Sequence, residues 1–86
     1  MKIKEGFILR EVAGSYIVVA VGDRVKHFNG IINLNETGAL LWKTAENGAT
    51  EEQLVQALLT EYDVDEATAR ADVNKFVEKL REAELV

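Results

Sequence analysis

The feature that most constrains this chain is a change of hydrophobic period at Asn35. Before it, apolar side chains alternate or gather in short β-branched runs; after it they recur at helical spacing. The stretch Asn29 to Trp42 contains the change. Asn29-Gly30 is a tight-turn dipeptide, because both residues tolerate φ > 0. Ile31, Ile32 and Leu34 suit a pleated surface, and Asn35 is placed to cap a helix. A β half and an α half must therefore meet without a spare residue.

Upstream, Phe7 to Val12 and Tyr16 to Val21 read as strands, with Ala13-Gly14-Ser15 as the turn of a hairpin. Gly22-Asp23 signals a second turn ahead of Arg24 to Phe28, which alternates apolar and polar residues. The sheet has three strands, or four if Val25 to Phe28 is regular and pairs across Asn29-Gly30. Downstream, Ala39, Leu41, Trp42 and Ala45 form the apolar face of a first helix that ends near Asn47-Gly48. Thr50-Glu51-Glu52-Gln53 is a capping box for a second helix buried through Leu54, Val55, Leu58, Leu59 and Tyr62. Asp65 caps a third helix that runs to about Ala83, with Ala69, Val73, Phe76, Leu80 and Ala83 on its buried face. Antiparallel strands followed by segregated helices indicate an α+β fold, and residues 1–86 form a single domain. The short link before helix three makes it cross helix two, as in a helix-turn-helix. Gly38 is the local oddity, since glycine in a helical turn costs roughly 1 kcal/mol against alanine. It either lets another backbone pass close by or is tolerated near the helix end.

Composition excludes several function classes. With no cysteine there is no disulfide, zinc finger, iron-sulfur ligation or thiol catalysis. His27 is the only histidine, so no familiar transition-metal site can form around it. Asp63-Val64-Asp65-Glu66 lacks the glycine and the bidentate glutamate of a calcium loop, and the carboxylates lie on exposed helix faces with no pocket to raise a pKa. No phosphate-cradling loop, cofactor site or catalytic constellation is present, and the expectation is a protein that is not an enzyme. No apolar run approaches the roughly 20 residues of a membrane span, and Met1 to Glu5 lacks the layout of a signal peptide; the cytoplasm is the expected location. Residues 1–34 carry a charge of +2 and residues 35–86 a charge of -7. That second half repels nucleic acid.

What remains is a surface for a peptide. A small open sheet leaves an edge of unpaired amides and carbonyls that an extended peptide can complete, the Ile32 amide being one candidate donor. On helix three, Arg70, Asn74, Val77 and Arg81 form a stripe beside the buried one. It either borders a binding groove, or Val77 extends the core and both arginines pair with local acids.

Phe7 to Val12, Gly30 to Trp42, Tyr62-Asp63-Val64 and Ala69 to Val73 together resemble the coenzyme PQQ synthesis protein D (PqqD) family, over nearly the whole chain. The most specific element is Leu34-Asn35-Glu36-Thr37-Gly38 running into Trp42. Glu84 departs from the family pattern, where a glycine precedes the final apolar pair. The resemblance implies a winged-helix-like fold that acts as the recognition element for ribosomally made, post-translationally modified peptides. In that family a precursor's leader peptide adds a strand beside the third strand, rests against the third helix and is presented to a modifying enzyme, often a radical SAM enzyme. Carried onto this chain, the expected peptide-binding residues are Gly30, Ile31, Ile32, Asn33 and Leu34, with Arg70, Val73, Asn74, Val77 and Arg81 from the helix by geometry. A monomer or weak homodimer is expected. The alternatives are a small winged-helix DNA-binding regulator and a structural domain that dimerises through its sheet edge. Residues 65–84 carry four basic and six acidic side chains, which weighs against the regulator.

Overall fold

In a computed structural model of the chain, residues 1–23 and 31–86 are described. The expected strand Val25 to Phe28, His27 and the Asn29-Gly30 turn lie outside the described residues. Among the described residues three strands, β1 (Phe7–Val12), β2 (Ser15–Ala20) and β3 (Ile32–Leu34), precede three helices, α1 (Glu36–Ala45), α2 (Glu51–Glu61) and α3 (Glu66–Glu82). The strands form one antiparallel sheet in the order β1-β2-β3. The α+β fold read from the sequence is the observed one.

Each element begins where local chemistry starts it. The hairpin turn is two residues, not three: Ala13 (φ 51°) and Gly14 (φ 80°) both take positive φ, and Val12 pairs directly with Ser15. Asn35 caps α1 by accepting from the Gly38 amide at 2.8 Å. The capping box of α2 is complete, Gln53 N donating to Thr50 Oγ1 at 3.1 Å and Thr50 N to Gln53 Oε1 at 2.9 Å. Asp65 caps α3 by accepting from the Thr68 amide at 2.7 Å, and that bond holds its carboxyl below the usual aspartate range.

The end of α3 explains why a glycine belongs at residue 84. Leu85 N donates to Leu80 O at 2.8 Å and Glu84 N to Arg81 O at 3.0 Å, the paired bonds of a Schellman cap. This cap requires a left-handed residue, and Glu84 takes φ 62° there. In exchange, Leu85 is fully buried and its carbonyl accepts from Lys4 N at 2.8 Å.

One core unites both halves. Val18, Ile32 and Leu34 from the sheet meet Leu41 and Trp42 of α1, Leu54, Val55 and Leu58 of α2, and Val73, Phe76, Val77 and Leu80 of α3. Burying a large side chain of this kind contributes roughly 1.5–3 kcal/mol. The Trp42 indole N–H is buried with no acceptor among the described residues.

Candidate functional site

The site begins with the register of the sheet. A two-residue hairpin loop is closed by a pair that exchanges backbone hydrogen bonds, here Val12 and Ser15. Along an antiparallel strand the N–H and C=O of successive residues turn to alternate sides, so Ser15 and Ile17 address β1 while Tyr16 and Val18 address β3. Tyr16 stands opposite Leu34 and Val18 opposite Ile32. The backbone groups of Ile32 and Leu34 are therefore spent on β2, and those of Asn33 point outward. The Ile32 amide, one candidate donor in the sequence reading, faces β2 and not the open edge. An independent contact supports this register: Lys79 Nζ donates to Asn33 O at 2.6 Å, which requires that carbonyl to lie on the outer edge. Among the described residues no strand covers this edge.

Side chains alternate across the same strand. Ile32 and Leu34 are buried, whereas Ile31 is 55% exposed and Asn33 is exposed. Beside the edge lies a hollow of about 300 Å³. Its floor is Leu34, Leu41 and Phe76, and its far wall is Asp72, Lys75 and Lys79 of α3.

The Leu34-Asn35-Glu36-Thr37-Gly38 segment locks this edge to the helical half. Asn35 Oδ1 accepts from the Gly38 amide and, at 2.9 Å, from the Thr37 hydroxyl. A Cβ on Gly38 would stand 3.1 Å from Asn35 Oδ1 and 3.3 Å from Leu34 Cβ. The Leu34 side chain and the cap thus close over Gly38, so it is side chains, not a passing backbone, that approach it.

The residues expected on α3 are divided by the structure. Val73 and Val77 are core, 1% and 5% exposed. Arg70 and Asn74 line a small crevice toward α2 with Glu51 and Val55. Arg70 donates from Nη1 and Nη2 to the two Glu52 oxygens at 2.7 and 3.1 Å and from Nε to Glu66 at 3.1 Å. These bonds raise the Arg70 pKa and lower that of Glu52. Arg81 is 3.5 Å from Glu78 on its own helix. At 3.6 residues per turn, roughly 100° per residue, Arg70, Asn74, Val77 and Arg81 lie on the opposite side of α3 from Asp72, Lys75 and Lys79. The stripe that borders the β3 hollow is the second one, which the sequence reading did not select. Gly30 lies outside the described residues.

The chain now has enough geometry to be placed among known proteins. The sequence profile of coenzyme PQQ synthesis protein D matches residues 7–86. The chain belongs to the PqqD family. No curated protein sequence matches it. Among solved structures, TbiB1 in complex with the TbiA(beta) leader peptide is similar at 25% identity and a TM-score of 0.76, over 99% of this PqqD-family chain and 93% of that one. Lasso peptide synthetase B1 complexed with the leader peptide shares the fold at 20% identity and a TM-score of 0.71, over 94% of this chain and 89% of that one.

The sheet has a second outer edge on β1, where the same alternation turns Leu9 and Glu11 outward. A wider hollow there, about 500 Å³, lies among Ile3, Phe7, Leu9 and Trp42, with Lys2 and Lys4 balanced by Glu5 and Glu46. Unlike the β3 edge, it has no contribution from α3. Among the described residues, no group of His, Asp and Glu could hold a metal ion, and no helix is long and apolar enough to cross a membrane.

Proposed function

We propose that this PqqD-family chain is a non-enzymatic module that binds the leader segment of a ribosomal precursor peptide and presents it to a modifying enzyme, such as a radical SAM maturase, in the cytoplasm where precursors are translated. The leader adds a strand to β3, taking the outward N–H and C=O of Asn33. Its alternate side chains enter the hollow over Leu34, Leu41 and Phe76 and meet the α3 wall of Asp72, Lys75 and Lys79. The observation that carries this reading is the outward-facing Asn33 backbone on an edge left uncovered among the described residues, beside an apolar floor. The two structural neighbours, each in complex with a leader peptide, support it. On this reading Arg70, Asn74 and Arg81 are structural, their side now turned away from the edge.

A titration with synthetic peptides tiled across the short reading frames beside the gene, followed by amide NMR, tests the proposal. The Asn33 and Ile31 amides should shift together with those of Lys75 to Lys79. A bound peptide that shifts Leu9 and Glu11 instead would move the site to β1 and overturn the assignment.

A further inference from the structure

The α3 wall differs in charge from the rest of the helical half. Residues 35–86 carry seven net negative charges, yet the wall of the β3 hollow holds two lysines against one aspartate. Among the described residues neither lysine pairs with a carboxylate. The ion pairs among the described residues join Arg70 to Glu52 and Glu66, and Arg81 to Glu78. Lys79 instead donates to the Asn33 carbonyl, the group that an added strand must itself engage. A lysine laid over a strand edge blocks unwanted pairing, and a docking strand must displace it. The displaced ammonium stays within the reach of its own side chain, beside Lys75 and directly over the new strand.

Resting on the docking reading above, we propose that the peptide accepted at β3 is acidic at a fixed position. It carries an aspartate or glutamate on the face turned toward α3, and Lys79 exchanges the Asn33 carbonyl for that carboxylate with Lys75 alongside. Charge complementarity selects this occupant, because an ammonium removed from its acceptor in a partly enclosed hollow needs a new one, and a carboxylate gives the stronger, charge-assisted bond. A basic strand would meet two like charges and displace Lys79 from the Asn33 carbonyl while offering it no carboxylate. Lys79 thus sets specificity by first closing the edge and then reading the strand that opens it.

The test is a selection of random 15-residue peptides by mRNA display on the wild-type protein and on the Lys75→Gln/Lys79→Gln variant. Both substitutions are on exposed positions, and an unchanged amide spectrum elsewhere verifies the fold. Wild-type selection should enrich Asp or Glu at one position within an alternating apolar pattern, and selection on the variant should lose that acid while keeping the alternation. For a selected peptide, the variant should weaken binding by about three- to tenfold; neutralising the peptide's acid should cost the same, and the two losses should not add. Lys79→Arg should retain most of the affinity. Peptides that shift the Asn33 amide without any acidic preference would overturn the charge inference and leave the docking edge standing. Selected peptides that leave Asn33 unperturbed, or no selected peptide at all, would overturn both.

Discussion

The two flanks of α3 are built from similar residues and are used in opposite ways. On the α2 flank, Arg70 engages both oxygens of Glu52 and one of Glu66, so its charge is satisfied within the fold. On the β3 flank, Lys75 and Lys79 have no carboxylate partner among the described residues, and Lys79 rests on a backbone carbonyl. A group whose partners are all internal has nothing left to offer a ligand. The contrast shows that a charged stripe beside a buried helix face gains meaning only from what stands opposite it.

Six substitutions and one pH comparison would break or sharpen that contrast. Leu34→Ala should have the largest effect, a loss of about 2–4 kcal/mol in chemical denaturation, because it opens a cavity under both the edge and the hollow. Asn33→Pro comes next: proline is tolerated on an edge strand but donates no hydrogen bond, so leader-peptide affinity should fall by about tenfold or more while the melting temperature stays close to wild type. Undiminished affinity in calorimetry would remove the β3 edge from the site. Ile32→Pro should instead destabilise the sheet itself, since that amide serves β2.

Gly38→Ala should cost about 1 kcal/mol of stability even though alanine is the better helix former, because Asn35 Oδ1 is held by two hydrogen bonds and cannot retreat. A gain in melting temperature would show that the Leu34 contact yields. Glu84→Gly should stabilise by about 1 kcal/mol by relieving the left-handed backbone at the Schellman cap, with no change in peptide affinity.

Arg70→Gln should be the mildest, slightly lowering the melting temperature at neutral pH and leaving peptide binding intact. Its pH dependence follows from Glu52, whose carboxyl is held below the ordinary glutamate value by the Arg70 hydrogen bonds. The contribution of this pair is present above the unfolded glutamate pKa and is lost as pH falls through the lowered folded value. Melting curves of wild type and Arg70→Gln should therefore converge in acid. A gap that persists at low pH would mean that Arg70 acts through packing of its stem.

Much of the fold was legible because its signals are local. Asn35, Thr50 and Asp65 each announce a helix within three residues, and the capping box at Thr50 and Gln53 can be read without tertiary knowledge. The hairpin turn is evident in the sequence but its length of two residues is not, since Ala13 gives no compositional sign of positive φ. The third strand could be read from its pattern, but not which of its amides faces out, because that parity is set by the Val12 to Ser15 closure and passed across β2. The helix wall was harder still. A buried stripe through Ala69, Val73, Phe76 and Leu80 has two margins, one with Arg70 and Asn74 and the other with Asp72, Lys75 and Lys79. Periodicity treats them alike, and only the path of the chain from α2 decides which one meets the sheet.

The closure of Leu34 and Asn35 over Gly38 has a practical meaning for anyone who wishes to retarget this scaffold. With only the capping Asn35 between β3 and α1, the rail on which a peptide would lie cannot be re-angled by loop grafting without pulling on Trp42 and the rest of α1. Retargeting would have to be done on the opposite bank, at the half-buried Asp72 and the exposed Lys75 and Lys79, whose side chains can be exchanged while the rail stays in register.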